Sequence, residues 1–156
     1  GAFGFFQFMP STIKNYAIDF DNDNHINLKN SSDAYASAAN YLSSIGWKKN
    51  QPCFKKINLN SDVPKSLLNV SARKLHNKNS LKKFKKYIKN YSDIDPKNEN
   101  LKVAIITPDF DIIPDADTLK PAYIVYENYE VILKWNRSLR FALAVCTLKN
   151  EIKNEI

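Results

Sequence analysis

With 156 residues, 44% hydrophobic and 25% charged, the chain is long enough for a folded core and too apolar to be disordered. No apolar run nears the roughly 20 residues that span a bilayer, and three glycines exclude a glycine-rich phosphate cradle. The net charge of +7 gathers between Lys48 and Lys102, densest at Lys82–Lys89, and attracts anionic polymers in general; without the arginine and aromatic pattern of a base reader, a solvated lysine face is expected and nucleic acid is not an expected partner.

The first predicted element is a short helix from Met9 to Tyr16, because Pro10 suits a first helical turn, where its missing N–H would be unpaired anyway. An acidic loop from Asp19 to about Ser32 follows. A second helix, capped by Ser32 or Asp33, then carries Tyr35, Ala38, Ala39, Leu42 and Ile45 as an apolar stripe and stops at Gly46. From Lys48 to Asn100 the chain is polar and interrupted, with a strand-like piece at Phe54–Leu59, a turn at Asp62-Val63-Pro64 and a lysine-rich helix from Ser80 to Asn90. Lys102–Thr107 and Ala122–Leu133 read as strands of a small sheet, separated by a segment holding Pro108, Pro114 and Pro121. Ser138 caps a last helix with Phe141, Ala142, Val145 and Leu148 inward. Cys53 and Cys146 pair only if the fold brings them together, and two buried free thiols are the expectation.

Two segments carry chemistry. In Asp19-Phe20-Asp21-Asn22-Asp23-Asn24-His25-Ile26 the acids stand at loop positions 1, 3 and 5, the His25 carbonyl at position 7 and Ile26 at the usual inward anchor, with Asp33 further on. That spacing converges oxygens on a hard cation, calcium by preference, and three unpaired acids would otherwise repel one another. Asn24 stands at position 6 where glycine is usual, which Asn tolerates because it accepts positive φ, and Asn30 stands at position 12 in place of glutamate. The other segment is Gly1-Ala2-Phe3-Gly4-Phe5-Phe6-Gln7-Phe8-Met9-Pro10-Ser11: the glycines clear space for a neighbouring backbone or a sugar, Gln7 donates and accepts at once, and most of the phenylalanines are expected in the core. Trp135-Asn136, at a predicted strand-to-helix junction, offers a stacking face beside an amide. His25 and His76 are the only histidines and neither accompanies a nucleophile, which removes the hydrolase triads.

Taken in order, the opening glycine-phenylalanine block, the acidic loop, Asp33-Ala34 through Tyr41-Leu42, Gly46-Trp47 and the block from Ile132 to Val145 resemble the membrane-bound lytic transglycosylase B family. The resemblance implies an α+β, mainly α fold: a lysozyme-like helical domain from residues 1–50 and 134–156, with residues 51–133 as a small inserted β-containing subdomain. It implies Gln7, Tyr41, Trp135 and Asn136 as substrate contacts along a glycan groove, and Asp19, Asp21, Asp23, the His25 carbonyl and Asp33 as a structural calcium site. It further implies cleavage of the MurNAc–GlcNAc β-1,4 bond of peptidoglycan with formation of 1,6-anhydro-MurNAc, using one glutamate as acid and then base. That glutamate precedes the Gly-Ala motif in the family, whereas Glu99, Glu127, Glu130, Glu151 and Glu155 all follow it, so no catalytic residue is assigned here and the chain alone is expected to be inactive. The true N-terminus is expected upstream, with any signal or lipid anchor. The expected setting is the periplasm or envelope of a Gram-negative bacterium, outer-membrane anchored if at all, and the expected state is a monomer. A catalytically inactive peptidoglycan-binding module is the alternative.

Overall fold

The computed structural model describes residues 1–109, 113–115 and 117–155. Contacts divide the chain into two units, Gly1–Lys48 and Lys49–Ile156.

In the first unit, α1 spans Pro10–Tyr16 with proline in its first turn, as read, and α2 spans Ser31–Ser44. The expected caps Ser32 and Asp33 lie inside α2; Asn30 caps it by accepting from the Ser32 amide. Gly46, at φ 111°, ends it, with Gly46 N–H donating to Ser43 O and Trp47 N–H to Leu42 O, the paired bonds of a Schellman stop. The apolar stripe is corrected: Tyr35 is 63% exposed and Ala39 is exposed, while Asp33, Ala34, Ser37 and Ala38 are buried. The reason is polar. Asp33 and Ser37 accept backbone N–H groups of the preceding loop, and the Asn40 side-chain amide donates to Tyr16 O, so one face of α2 satisfies loop backbone instead of packing on an apolar layer.

The second unit is built on a five-stranded sheet. Its strands are β1 (Phe54–Ile57), β2 (Leu68–Asn69), β3 (Asn79–Ser80), β4 (Lys102–Ile106) and β5 (Ala122–Val125). The order is β1-β5-β4-β2, antiparallel except for the parallel β2–β4 pair, and β3 also pairs with β4. Central β4 is buried at Val103, Ala104, Ile105 and Ile106, on both faces, which explains its unbroken apolar run. Val103 and Ile105 join Ile57, Ile124 and Tyr126 in a core closed by Leu81, Phe84 and Ile88.

Four further expectations differ from the structure. The lysine-rich segment is a 3-10 helix, Leu81–Tyr87, not an α-helix. Its apolar residues Leu81, Phe84 and Tyr87 recur every third position, the 3-10 period, and leave Lys82, Lys83, Lys85 and Lys86 exposed. The strand expected to run to Leu133 ends at Val125, and α3 occupies Glu127–Trp135. Glu127 and Glu130 in its first turn complement the helix dipole, and Tyr129 and Ile132 bury their side chains. Helix α4, Leu139–Glu155, is capped by Ser138 as read, but buries Leu139, Ala142 and Cys146, leaving Phe141 41% and Leu148 61% exposed. Cys146 on that inward face pairs with Cys53, just before β1, at a Cα separation of 5.9 Å, so the two cysteines form a disulfide and are not free thiols. The α+β class is as expected.

Candidate functional site

The opening segment is a tight hairpin. Phe3 and Phe8 exchange backbone hydrogen bonds at 3.0 and 2.9 Å, and the Gln7 amide donates to Gly4 O at 3.2 Å. Gly4 has φ 75°, and a Cβ there would lie 2.6 Å from both Leu28 Cβ and Leu28 O, so glycine is required by a neighbouring backbone; Gly1 faces open space. Gln7 takes φ 50°, an uncommon conformation for a side-chain residue, and is held there by the hairpin and by its own Nε2 donating to Gly4 O at 2.8 Å. The result is an exposed amide on a rigid tip. The core assignment of the phenylalanines is corrected: only Phe8 is buried, while Phe3 and Phe5 are 44% and 58% exposed. Phe8 meets Tyr41 edge-on at 6.1 Å, and Tyr41 lies 4.9 Å from Tyr16. Burial in this aromatic cluster, and Tyr16 beside it, push the Tyr41 hydroxyl above its ordinary pKa, so it stays a neutral donor.

The acidic loop wraps on its own amides. Asp19 accepts from Asn22 and Asn24 at 2.8 and 2.9 Å, while Asp33 accepts from Phe20 and Asn27, both at 2.8 Å, and ties both ends of the loop to α2. Carboxylate oxygens of Asp19, Asp21 and Asp33 lie within 4.8 Å of one another. Asp23 instead accepts from the His25 amide at 2.8 Å, and Asn30 donates to Asp21 at 3.1 Å. The amides of Asn27 and Phe20 hold the Asp33 carboxyl below its usual range, while desolvation and then Asp23, Asp33 and Asp19 push Asp21 up. Such an all-oxygen donor set with an unneutralised acid suits a hard divalent cation. Asn22 and Asn24 take φ 61° and 66°, so Asn serves at position 6 as anticipated. The anchor is corrected: Ile26 is 51% exposed and Leu28 is buried, since the chain returns to Gly4 and Phe5 at Leu28.

In the second unit, half-buried Trp135 ends α3 and exposed Asn136 caps it, its amide bonded to Ile132 O at 2.9 Å. The turn into α4 is fixed by buried Tyr129, whose hydroxyl donates to Leu139 O at 2.6 Å. Tyr129 was not among the sequence candidates because its segment read as a strand.

The family described as the transglycosylase SLT domain matches residues 1–150. The chain belongs to that family. The membrane-bound lytic murein transglycosylase B of Escherichia coli K12 is 55% identical over 49 residues, 31% of this chain and 14% of that protein. SltB3 from Pseudomonas aeruginosa, crystallised in complex with NAG-NAM-pentapeptide, is similar at 30% identity and TM-score 0.82 over 98% of this chain and 39% of its own. The Escherichia coli lytic transglycosylase Slt35, crystallised with calcium, is similar at 26% identity and TM-score 0.70 over 99% of this chain and 45% of its own. The chain thus spans less than half the length of these relatives, and its fold is the lysozyme-like α+β fold they share.

Among the described side chains, Glu130 is tied to Lys78 at 2.9 Å, Glu99 accepts from the Tyr91 hydroxyl at 3.3 Å and Glu151 is exposed. The Glu155 side chain lies outside the described residues.

Proposed function

We propose that the chain is the glycan- and calcium-binding part of a peptidoglycan lytic transglycosylase, acting on the MurNAc–GlcNAc β-1,4 bond and yielding 1,6-anhydro-MurNAc. The observation that carries this reading is the similarity over nearly the whole chain to a protein crystallised with NAG-NAM-pentapeptide. Gln7 and Tyr41 on the first unit, and Trp135 and Asn136 on the second, contact sugar: the amides through N-acetyl and hydroxyl groups, the aromatic rings through sugar faces. Trp135 presents a ring face without a hydroxyl. The reaction uses one carboxyl group, which protonates the glycosidic oxygen as the bond to C1 breaks and then removes the proton of the muramyl 6-hydroxyl as that oxygen bonds to C1. No water is consumed. The engagement of Glu130 and Glu99 and the exposure of Glu151 support an acid that is none of these three, and the proposal places it outside these 156 residues, with the chain alone silent.

Asp19, Asp21 and Asp33 would hold a calcium ion, with Asp23 and the His25 carbonyl adding oxygens, and its charge would offset the repulsion among these acids in the loop that leads to Leu28 and Gly4. The protein works as a monomer in the periplasm or envelope of a Gram-negative bacterium. The same placement of glutamates favours a second reading, a peptidoglycan-binding module without catalysis. The test is co-sedimentation with purified peptidoglycan in calcium: retention that falls when Gln7→Ala and Trp135→Ala are combined supports either reading, and no retention overturns both.

A further inference from the structure

The second unit holds a cavity of about 430 Å³ that no residue assigned above lines. Arg73, Lys74, Lys78, Lys134 and Arg137 bring five cationic side chains to its wall against one acid, Glu130. Lys78 Nζ already meets both Glu130 oxygens, at 2.9 and 3.1 Å. Arg73, Lys74 and Arg137 have no ion-pair partner among the described residues, and buried Leu75 and Leu133 form the apolar part of the wall.

These cations come from distant parts of the sequence and are held in place on both sides. Buried Asn69 donates to Ile105 O at 2.9 Å and His76 O at 3.2 Å and accepts from the His76 amide at 2.6 Å, which pins the loop carrying Arg73 and Lys74 against β4. On the other side the Tyr129–Leu139 bond fixes the turn carrying Arg137. A concave wall with excess charge of one sign concentrates an opposite charge, and the planar guanidinium matches a carboxylate through two parallel N–H bonds. The polymer proposed as substrate carries its negative charge on the peptides, because the glycan itself is neutral once the lactyl carboxyl of muramate is in amide linkage. Lys134 and Arg137 also bracket Trp135 and Asn136 in the chain.

We infer that this cavity is a subsite for carboxylates of the peptide stem borne by the muramyl residue. The inference rests on the peptidoglycan reading above and adds to it a specificity for peptide-bearing strands.

The test is calorimetric titration of the whole chain with NAG-NAM-pentapeptide, the same ligand with its carboxylates amidated, and a peptide-free glycan tetrasaccharide. The free-acid ligand should bind roughly tenfold more tightly than the amidated one. Combining Arg73→Gln with Arg137→Gln, both exposed and without an ion-pair partner among the described residues, should remove that difference and leave the peptide-free glycan unaffected. Equal affinity of the acid and amidated ligands for the unmutated chain would overturn the subsite while leaving the glycan reading intact. Failure of every glycan ligand to bind would overturn the reading and the subsite together. Tighter binding of single-stranded DNA, lost in the double variant, would overturn the subsite by assigning the cavity to phosphates.

Discussion

Replacing Gly4 with alanine tests whether the Gln7 hairpin rests on the end of the acidic loop. At φ 75° an L-residue pays about 1–2 kcal/mol for the left-handed conformation. Its Cβ would also lie 2.6 Å from Leu28 Cβ and O, about 0.8 Å inside the shortest ordinary contact, and neither the carbonyl nor the Cβ fixed to the backbone can rotate away. Moving Leu28 breaks the 3.0 Å bond from the Phe5 amide, a further loss of about 0.5–1.5 kcal/mol, and disturbs a side chain only 2% exposed. Together these predict that Gly4→Ala destabilises the first unit by roughly 2–4 kcal/mol. Trp47 reports on that unit if Trp135→Phe removes the other tryptophan, so urea unfolding followed by fluorescence is the assay. Gly1→Ala, with nothing within 4 Å, is the control and should shift stability by less than about 0.5 kcal/mol. A Gly4→Ala chain as stable as the control would refute the argument.

Calcium at about 100 times its dissociation constant should stabilise the chain by about 2.7 kcal/mol, and Asp21→Ala with Asp23→Ala should abolish the rise in melting temperature; a rise that survives both substitutions would remove the loop from the site. The disulfide closes a separation of 93 residues, for which chain entropy gives about 4–5 kcal/mol, so Cys53→Ser with Cys146→Ser should lower unfolding free energy by that order, and an unchanged urea midpoint would contradict it. Burial pushes the Tyr126 hydroxyl up to about 12, and Tyr129 higher still, so above pH 10 the unfolded chain loses protons that the native chain keeps. That contribution is complete below pH 10 and is lost as pH rises toward 12, at about 1.4 kcal/mol per unit for each tyrosine. Tyr126→Phe should flatten the alkaline decline, and an identical pH profile would show that Tyr126 is not its source.

What could be read from the sequence was written in local signals. Pro10, Gly46 and Ser138 mark helix ends by backbone chemistry that depends on one or two residues, and Lys102–Ile106 marks a strand by its contiguous apolar, β-branched run. The convergence of Asp19, Asp21 and Asp33 follows from loop spacing, with Asp33 three residues past the usual twelfth position. The misread features depend on what lies opposite. Tyr126–Leu133 is rich in strand-favouring residues, yet it is helical because Tyr129 and Ile132 pack inward, and the acids Glu127 and Glu130 were the signal for it. The inward face of α2 was sought in Tyr35, Ala38, Ala39, Leu42 and Ile45; Ala38 is on it, but Asp33 and Ser37 share it because the loop backbone needed acceptors. Neither the pairing of Cys53 with Cys146 nor the gathering of Arg73 with Arg137 leaves any local trace.

The most direct test is digestion of purified peptidoglycan by this chain beside a version extended upstream, with mass analysis for 1,6-anhydromuropeptides. Product is expected from the extended version alone, with the chain itself bound to the polymer and silent. Release of 1,6-anhydromuropeptides by these 156 residues would contradict the placement of the acid, and release by neither would contradict the transglycosylase reading itself.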